Sequence, residues 1–167
     1  TGDPADHGLW MDAMEAAARV LAGLYRQREA LEQISSLVPG ITHPTIVVGL
    51  IEGGINTNVL PDRVTMRVDR RLIPEERGEE VMAALVGVVT ASVEALPGIT
   101  CRTRKIMLAE PLTELPGQER LVMAIKGHAD RIVGEAVPAM GAPIYTDARH
   151  YCAAGVPTVL YGAGPRL

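Results

Sequence analysis

The strongest periodic signal in the chain is helical. Trp10, Met14, Ala17, Leu21, Leu24, Leu31 and Ile34 recur at three-, four- and seven-residue steps, with Glu15, Arg19, Arg26 and Glu29 on other faces. This predicts an amphipathic helix from Leu9 to Ile34, broken by Val38-Pro39-Gly40. Val20 and Ala22 add apolar surface beyond that stripe, enough for a second face against a partner copy. The period then shortens to two. Thr45 to Glu52 is rich in β-branched residues and closes on Gly53-Gly54, and Val64, Met66 and Val68 then alternate with Arg63, Thr65, Arg67 and Asp69. Such alternation marks a sheet with one covered face. The Gly53–Asp62 connection is too short for a helical crossover, so the two strands should pair antiparallel.

Pro74-Glu75-Glu76 places acidic residues where a helix N-terminus favours them. A second helix is therefore predicted from there, with Val81, Leu85, Val88 and Leu96 on its buried stripe and Pro97-Gly98 as its stop. Ile99 to Met107 reads as a further strand. The order α-β-β-α-β is a split β-α-β unit lacking its opening strand, so residues 1–109 are expected to form a ferredoxin-like α+β lid. Beyond Glu110-Pro111 the pattern predicts a helix from Gln118 to Val133, a short helix over Thr146–Ala154 with Gly155 at its C-terminal end, and a strand over Val156–Tyr161 that runs into Gly162. A strand ending in glycine is typical of the active-site edge of an α/β sheet. Residues 110–167 are too few to complete such a sheet and read as an incomplete α/β segment.

Composition narrows the function classes. Hydrophobic residues make up 47% and charged residues 22% of the chain, enough apolar surface to offset the entropy of ordering. A net charge of -4, no Phe and one Trp argue against nucleic-acid partners. No apolar run reaches the ~20 residues of a membrane span, and Thr1 to Gly8 carry neither a basic start nor an apolar signal segment. Cys101 and Cys152 stand far apart without metal or redox spacing, which predicts reduced thiols in a cytoplasmic protein. Both ends read as cut, so the chain is expected to be part of a longer protein.

Three stretches form one pattern. They are Gly53-Gly54-Ile55-Asn56-Thr57-Asn58-Val59-Leu60-Pro61-Asp62, then Val68-Asp69-Arg70-Arg71-Leu72-Ile73-Pro74, and finally Thr146-Asp147-Ala148-Arg149 followed by Ala154-Gly155-Val156-Pro157-Thr158-Val159-Leu160-Tyr161-Gly162-Ala163-Gly164. In this order the chain resembles the zinc aminoacylase family of acetylornithine deacetylase, succinyl-diaminopimelate desuccinylase and carboxypeptidase G. The opening helix, with Met11-Asp12-Ala13-Met14-Glu15 and Leu24-Tyr25-Arg26, is similar to that family's first lid helix. The resemblance implies hydrolysis of the amide bond in an N-acyl amino acid or small peptide. Two zinc ions would hold a hydroxide generated by a glutamate, and the protein would be a homodimer joined through the lid. It also implies that Asn58 reaches substrate in the partner subunit, and that Thr146, Asp147, Arg149, Gly162 and Gly164 lie by the substrate pocket. No catalytic residue and no metal ligand is expected in this chain.

Alternatives come with each residue. Asn58 offers two donors and an acceptor, and a turn asparagine can equally satisfy its own backbone. Arg70 and Arg71, adjacent on a strand, point to opposite faces. One suits a fork to a substrate carboxylate, the other a structural ion pair with Asp69 or Glu75. Thr146 and Asp147 suit a helix N-cap. His128-Ala129-Asp130 spells a metal motif but lies inside a helical pattern, where residues two apart diverge. Glu79-Glu80 copies a catalytic pair but belongs to a lid helix. His7 precedes the first helix, where the family has a lid histidine that stabilises the oxyanion in the neighbouring subunit. Thr1-Gly2-Asp3-Pro4, however, reads as sequence already past that histidine, and both readings of His7 stay open. The rival reading is a stand-alone ferredoxin-like binding or dimerisation module without activity.

Overall fold

The computed structural model describes residues 12–162. The chain forms two compact units. One is built from the chain up to Ser35, His43–Leu72 and Glu76–Ala109; the other from Ser36–Thr42, Ile73–Glu75 and the chain from Glu110 on. The described elements are α1 (Ala13–Leu31), β1 (Thr45–Gly53), β2 (Val64–Arg71), α2 (Gly78–Val93), α3 (Gln118–Val133) and α4 (Ala148–Ala153). The fold is α+β, with β1 and β2 paired antiparallel in a two-stranded sheet.

In the first unit, α1 starts where Asp12 accepts hydrogen bonds from the backbone N–H groups of Met14 (2.8 Å) and Glu15 (3.2 Å). These two bonds satisfy donors that a helix start otherwise leaves open. Trp10 and Leu9 lie outside the described residues. The buried stripe is Ala16, Ala17, Val20, Gly23, Leu24 and Leu31. It sits off the predicted one: Met14 is 40% exposed and Val20, expected on a second face, belongs to the core. Gly23 explains the shift, because a Cβ there would come within 2.6 Å of Ser92 Oγ and 3.2 Å of Val88 Cγ1. The face containing the glycine lets α2 approach most closely.

Ala16, Val20, Leu24 and Val93 form the core cluster, with Val48 and Met66 from the sheet and Leu85, Val88, Val89, Leu96 and Ile99 packed against it. The ladder pairs Val48 with Val68 but Leu50 with Arg67, so Gly49 is bulged out. A bulge shifts the pleat by one residue. Ile51 thereby pairs with Met66 and Gly53 with Val64, although Val47, Leu50 and Ile51 are all exposed.

Three sequence expectations differ here. The second helix begins at Gly78 rather than Pro74, because the carboxylates of Glu75 and Glu76 are engaged elsewhere: Glu75 with Ser36 and Leu37, Glu76 with Arg70. It ends at Val93, and Leu96 follows in a turn whose N–H donates to Val93 O. Ile99–Met107 forms no strand and enters no ladder among the described residues. Val156–Tyr161 likewise enters no ladder among the described residues of the second unit, its Val156 N–H instead donating to Tyr151 O at 2.9 Å. In that unit α3 runs between Gly117 (φ 91°) and Gly134 (φ 84°), and Gly155 (φ 79°) follows α4.

Glycine-to-alanine changes in β1 separate steric need from composition. At Gly53 a Cβ would meet Val64 Cγ2 at 2.7 Å and Arg63 O at 2.9 Å; at Gly49 nothing lies within 4 Å. Gly53→Ala should cost about 1–3 kcal/mol of overpacking in urea denaturation, whereas Gly49→Ala should stay within about 0.5 kcal/mol of wild type. Equal losses at both positions would show that the close approach is not what Gly53 serves.

Candidate functional site

The Gly53–Asp62 loop joins the ends of a paired ladder, so its base is fixed. Gly54 takes a left-handed backbone (φ 81°) that favours glycine. Pro61 O accepts from Ala13 N at 3.2 Å, tying the loop to the start of α1. Within the loop, Asn56 Oδ1 accepts from the backbone N–H of Thr57 (2.7 Å) and from its hydroxyl (3.2 Å), while Asn56 O accepts from Val59 N at 3.3 Å. The turn is therefore braced by Asn56. Asn58 is exposed, and none of the hydrogen bonds found among the described residues involves its side chain. The loop also shows Ile55, Val59 and Leu60 to solvent, Ile55 at 87% exposure.

At the other end of β2 the two arginines divide as their parity requires. Arg70 shares the covered face with Val64 and Met66, and its guanidinium pairs with Glu76, both side chains nearly buried. Arg71 points outward, 69% exposed, with Asp69 Oδ2 at 3.5 Å. Both arginines are thus ion-paired, Arg71 with Asp69 in solvent and Arg70 with Glu76 in the nearly buried pair. Six residues of extended chain separate Arg70 from Val64, roughly 20 Å at strand rise. Asn58 and the arginines consequently sit at opposite ends of the sheet and form no common site.

In the second unit Thr146 Oγ1 accepts from Ala148 N at 3.3 Å, while Asp147, the N-cap residue of α4, makes no side-chain cap bond and is exposed. Arg149 lies over the Tyr145 ring at 4.7 Å and donates to its hydroxyl, leaving a buried Nε without a hydrogen-bond partner among the described residues. Gly162 is exposed; Gly164 and His7 lie outside the described residues.

The metal-like motifs are spent on local structure. Asp130 accepts from Lys126 Nζ (2.8 Å) and from Val137 N (2.7 Å), and Lys126 in particular holds its carboxyl below the ordinary range. His128 Nδ1 lies 2.7 Å from Arg131 Nη2. Glu79 pairs with Lys105 and Glu80 with Arg77 in solvent. No group of three or more His, Cys, Asp or Glu residues suited to a metal occurs among the described residues, so these side chains do not fit a zinc centre. Cys101 is exposed and Cys152 buried, both unpaired, and no described helix is long and apolar enough to cross a membrane.

Sequence reasoning missed Glu75. Its carboxylate accepts from Leu37 N at 2.7 Å and from Ser36 Oγ at 3.0 Å, fastening the loop after α1 to the turn before α2. No spacing rule connects residues so far apart in the chain.

Two comparisons bear on these residues. Residues 4–95, more than half of the chain, match the family model described as a peptidase dimerisation domain. No curated protein matches the chain.

The Glu75 contact generates a pH prediction. The Leu37 N–H bond holds the carboxyl below the ordinary glutamate value, ~4.3. A depressed folded pKa means that the stabilisation is complete above the unfolded value and is lost as pH falls through the folded one. Hydrogen exchange at the Leu37 amide should therefore lose protection only as pH falls through that depressed value, below the ordinary glutamate range, and Glu75→Gln should weaken protection at neutral pH and flatten that dependence. A profile unchanged by the substitution would remove the clamp.

Proposed function

The chain belongs to the peptidase dimerisation domain family, and on that premise we propose that it is the lid, residues 1–109, and a C-terminal catalytic-domain segment, residues 110–167, of a dimeric metal-dependent amide hydrolase. The proposed substrates are N-acyl amino acids or small peptides, as for acetylornithine deacetylase, succinyl-diaminopimelate desuccinylase and carboxypeptidase G, and the proposed setting is the cytoplasm. Two zinc ions are proposed for the intact enzyme, held by residues other than those described. This chain's share is to assemble the dimer and to grip substrate.

The observation that carries this reading is the division of labour in the Gly53–Asp62 loop. Asn56 braces the turn, so Asn58 is left with an exposed amide on a tip whose base is fixed by the ladder, by Gly54 and by α1. A preordered amide delivers hydrogen bonds at little ordering cost. Arg149 supports a substrate role in the second unit, because its Nε still lacks an acceptor among the described residues. Dimerisation is supported by the outer edge of β1, which pairs with no strand among the described residues, and by Met14 and Tyr25, which α1 leaves 40% and 39% exposed.

In the complete enzyme, Asn58→Ala should lower kcat/KM by at least about tenfold, or roughly 1.4 kcal/mol of transition-state binding. Tm should barely move, since an exposed loop side chain contributes little to folding. A fall in stability with turnover per folded molecule intact would assign Asn58 to the turn and sink the reading. Assembly is checked separately: sedimentation of the complete protein should give a two-fold dimer with an isologous interface, and a monomer at all concentrations would contradict it.

A further inference from the structure

In the second unit the stretch Ala142–Tyr145 leads into Thr146, Asp147 and Arg149, and all of it is exposed, Ile144 at 62% and Tyr145 at 61%. The helix that follows, α4, is six residues long and buries Ala148 and Cys152. A segment with so few buried residues opens locally at small cost, so its position depends on how its ends are held. One end is α4. The other is Gly141.

Gly141 is seated on the loop after α1, which is part of the same unit. Its N–H donates to Pro39 O at 2.6 Å. A Cβ on Gly141 would meet Ile41 Cγ1 at 2.7 Å and Val38 Cγ1 at 2.8 Å, and one on Gly40 (φ 90°) would meet Gly141 O at 2.5 Å. Two glycines face each other here, and neither has room for a methyl group. The loop is itself closed, with Ser36 N donating to Thr42 O (2.9 Å) and Ile41 N to Val38 O (3.1 Å). Val38 N donates to Ser36 Oγ (3.1 Å), and Glu75 holds that hydroxyl together with the Leu37 N–H. Upstream of the seat, Asp130 accepts from Val137 N at 2.7 Å and ties that residue to the end of α3. Residues 137–141 are therefore fixed at both ends by groups distant in the chain.

We infer that residues 36–42 are a strap that positions the Thr146–Arg149 segment, with Gly141 as its seat and Glu75 as its fastener. The inference rests on the substrate role proposed above for that segment. Glu75 and Gly141 touch no substrate; they are positioning residues that act through the strap. The seat fixes where the chain leaves residue 141, Pro143 restricts the path that follows, and Arg149 braces the far end through the Tyr145 hydroxyl. Side chains ordered in this way before substrate arrives grip it at lower ordering cost. A loosened strap therefore weakens binding more than it slows the chemical step.

The test uses the complete enzyme and Gly141→Ala, which presses a methyl group on Ile41 and Val38. The Ala148 and His150 amides donate to Thr146 Oγ1 and Asp147 O. Their hydrogen exchange should quicken at least about tenfold while exchange in α3 stays unchanged. Adding Val38→Ala and Ile41→Ala, which clears the space, should restore slow exchange, and Glu75→Ala should loosen the same amides by a different route. With the N-acetyl amino acid that the enzyme hydrolyses fastest, KM should rise at least about fivefold in Gly141→Ala and kcat should stay within about twofold. Unchanged exchange at Ala148 and His150 in both Gly141→Ala and Glu75→Ala would overturn the inference. So would equal acceleration in α3, the mark of general destabilisation. Faster local exchange with an unaltered KM would overturn it too, in an enzyme whose Arg149→Ala variant binds substrate more weakly. Failure of the substrate reading looks different: Arg149→Ala would itself leave KM unchanged, and the exchange measurements would still decide the strap.

Discussion

At Gly23 the two helices of the first unit come closer than a side chain would readily allow. A methyl group there would press on Ser92 Oγ and Val88 Cγ1. Ser92 can stand so near because its hydroxyl is already satisfied, donating to Val88 O at 2.7 Å. A glycine inside a helix costs about 1 kcal/mol relative to alanine, and here the close crossing brings Ala16, Val20, Leu24 and Val93 into one cluster. Val48 and Met66 close that cluster from the sheet. The position of the loop that carries Asn58 follows from it, since the same helix ties down Pro61 through its first turn.

Much of this was legible in the sequence because it is local. The period-three-to-four run gives α1, the period-two run gives β2, and the short connection between strands gives their antiparallel pairing. The phase of α1 was not legible from hydrophobicity alone. Met14 and Leu21 are larger than Ala16 and Gly23, and a reading by apolar size selects them. The structure instead buries the face containing the small residues, because helix separation is set by what fits between backbones. Likewise, apolar alternation over Ile99–Met107 states only a capacity to pair. A ladder needs a second backbone, and no property of residues 99–107 reports whether one is present.

Parity is the most informative sequence signal at the site. Arg70 has the same parity as Val64, Met66 and Val68, which places it on the covered face, where an unpaired guanidinium is costly. That alone assigns it to an ion pair and leaves Arg71 for solvent. The partner, Glu76, lies across a bend and has no periodic signature. Asn56 and Asn58 present a different case. Both are asparagines of one turn, and only the geometry shows which of them braces it.

Tertiary constraint and chemical freedom therefore alternate along the unit. Gly53 is held by Val64 and Arg63, Asn56 by Thr57, and Pro61 by Ala13, so the loop carries its order in its own backbone. Asn58 then needs no protein partner to be positioned, which leaves its amide available for another molecule. At the opposite flank the polarity is reversed. Ile99 has its side chain placed against the core, but residues 101–106 enter no ladder among the described residues and Ile106 is 70% exposed. A side chain awaiting a ligand is tolerated in water at almost no cost.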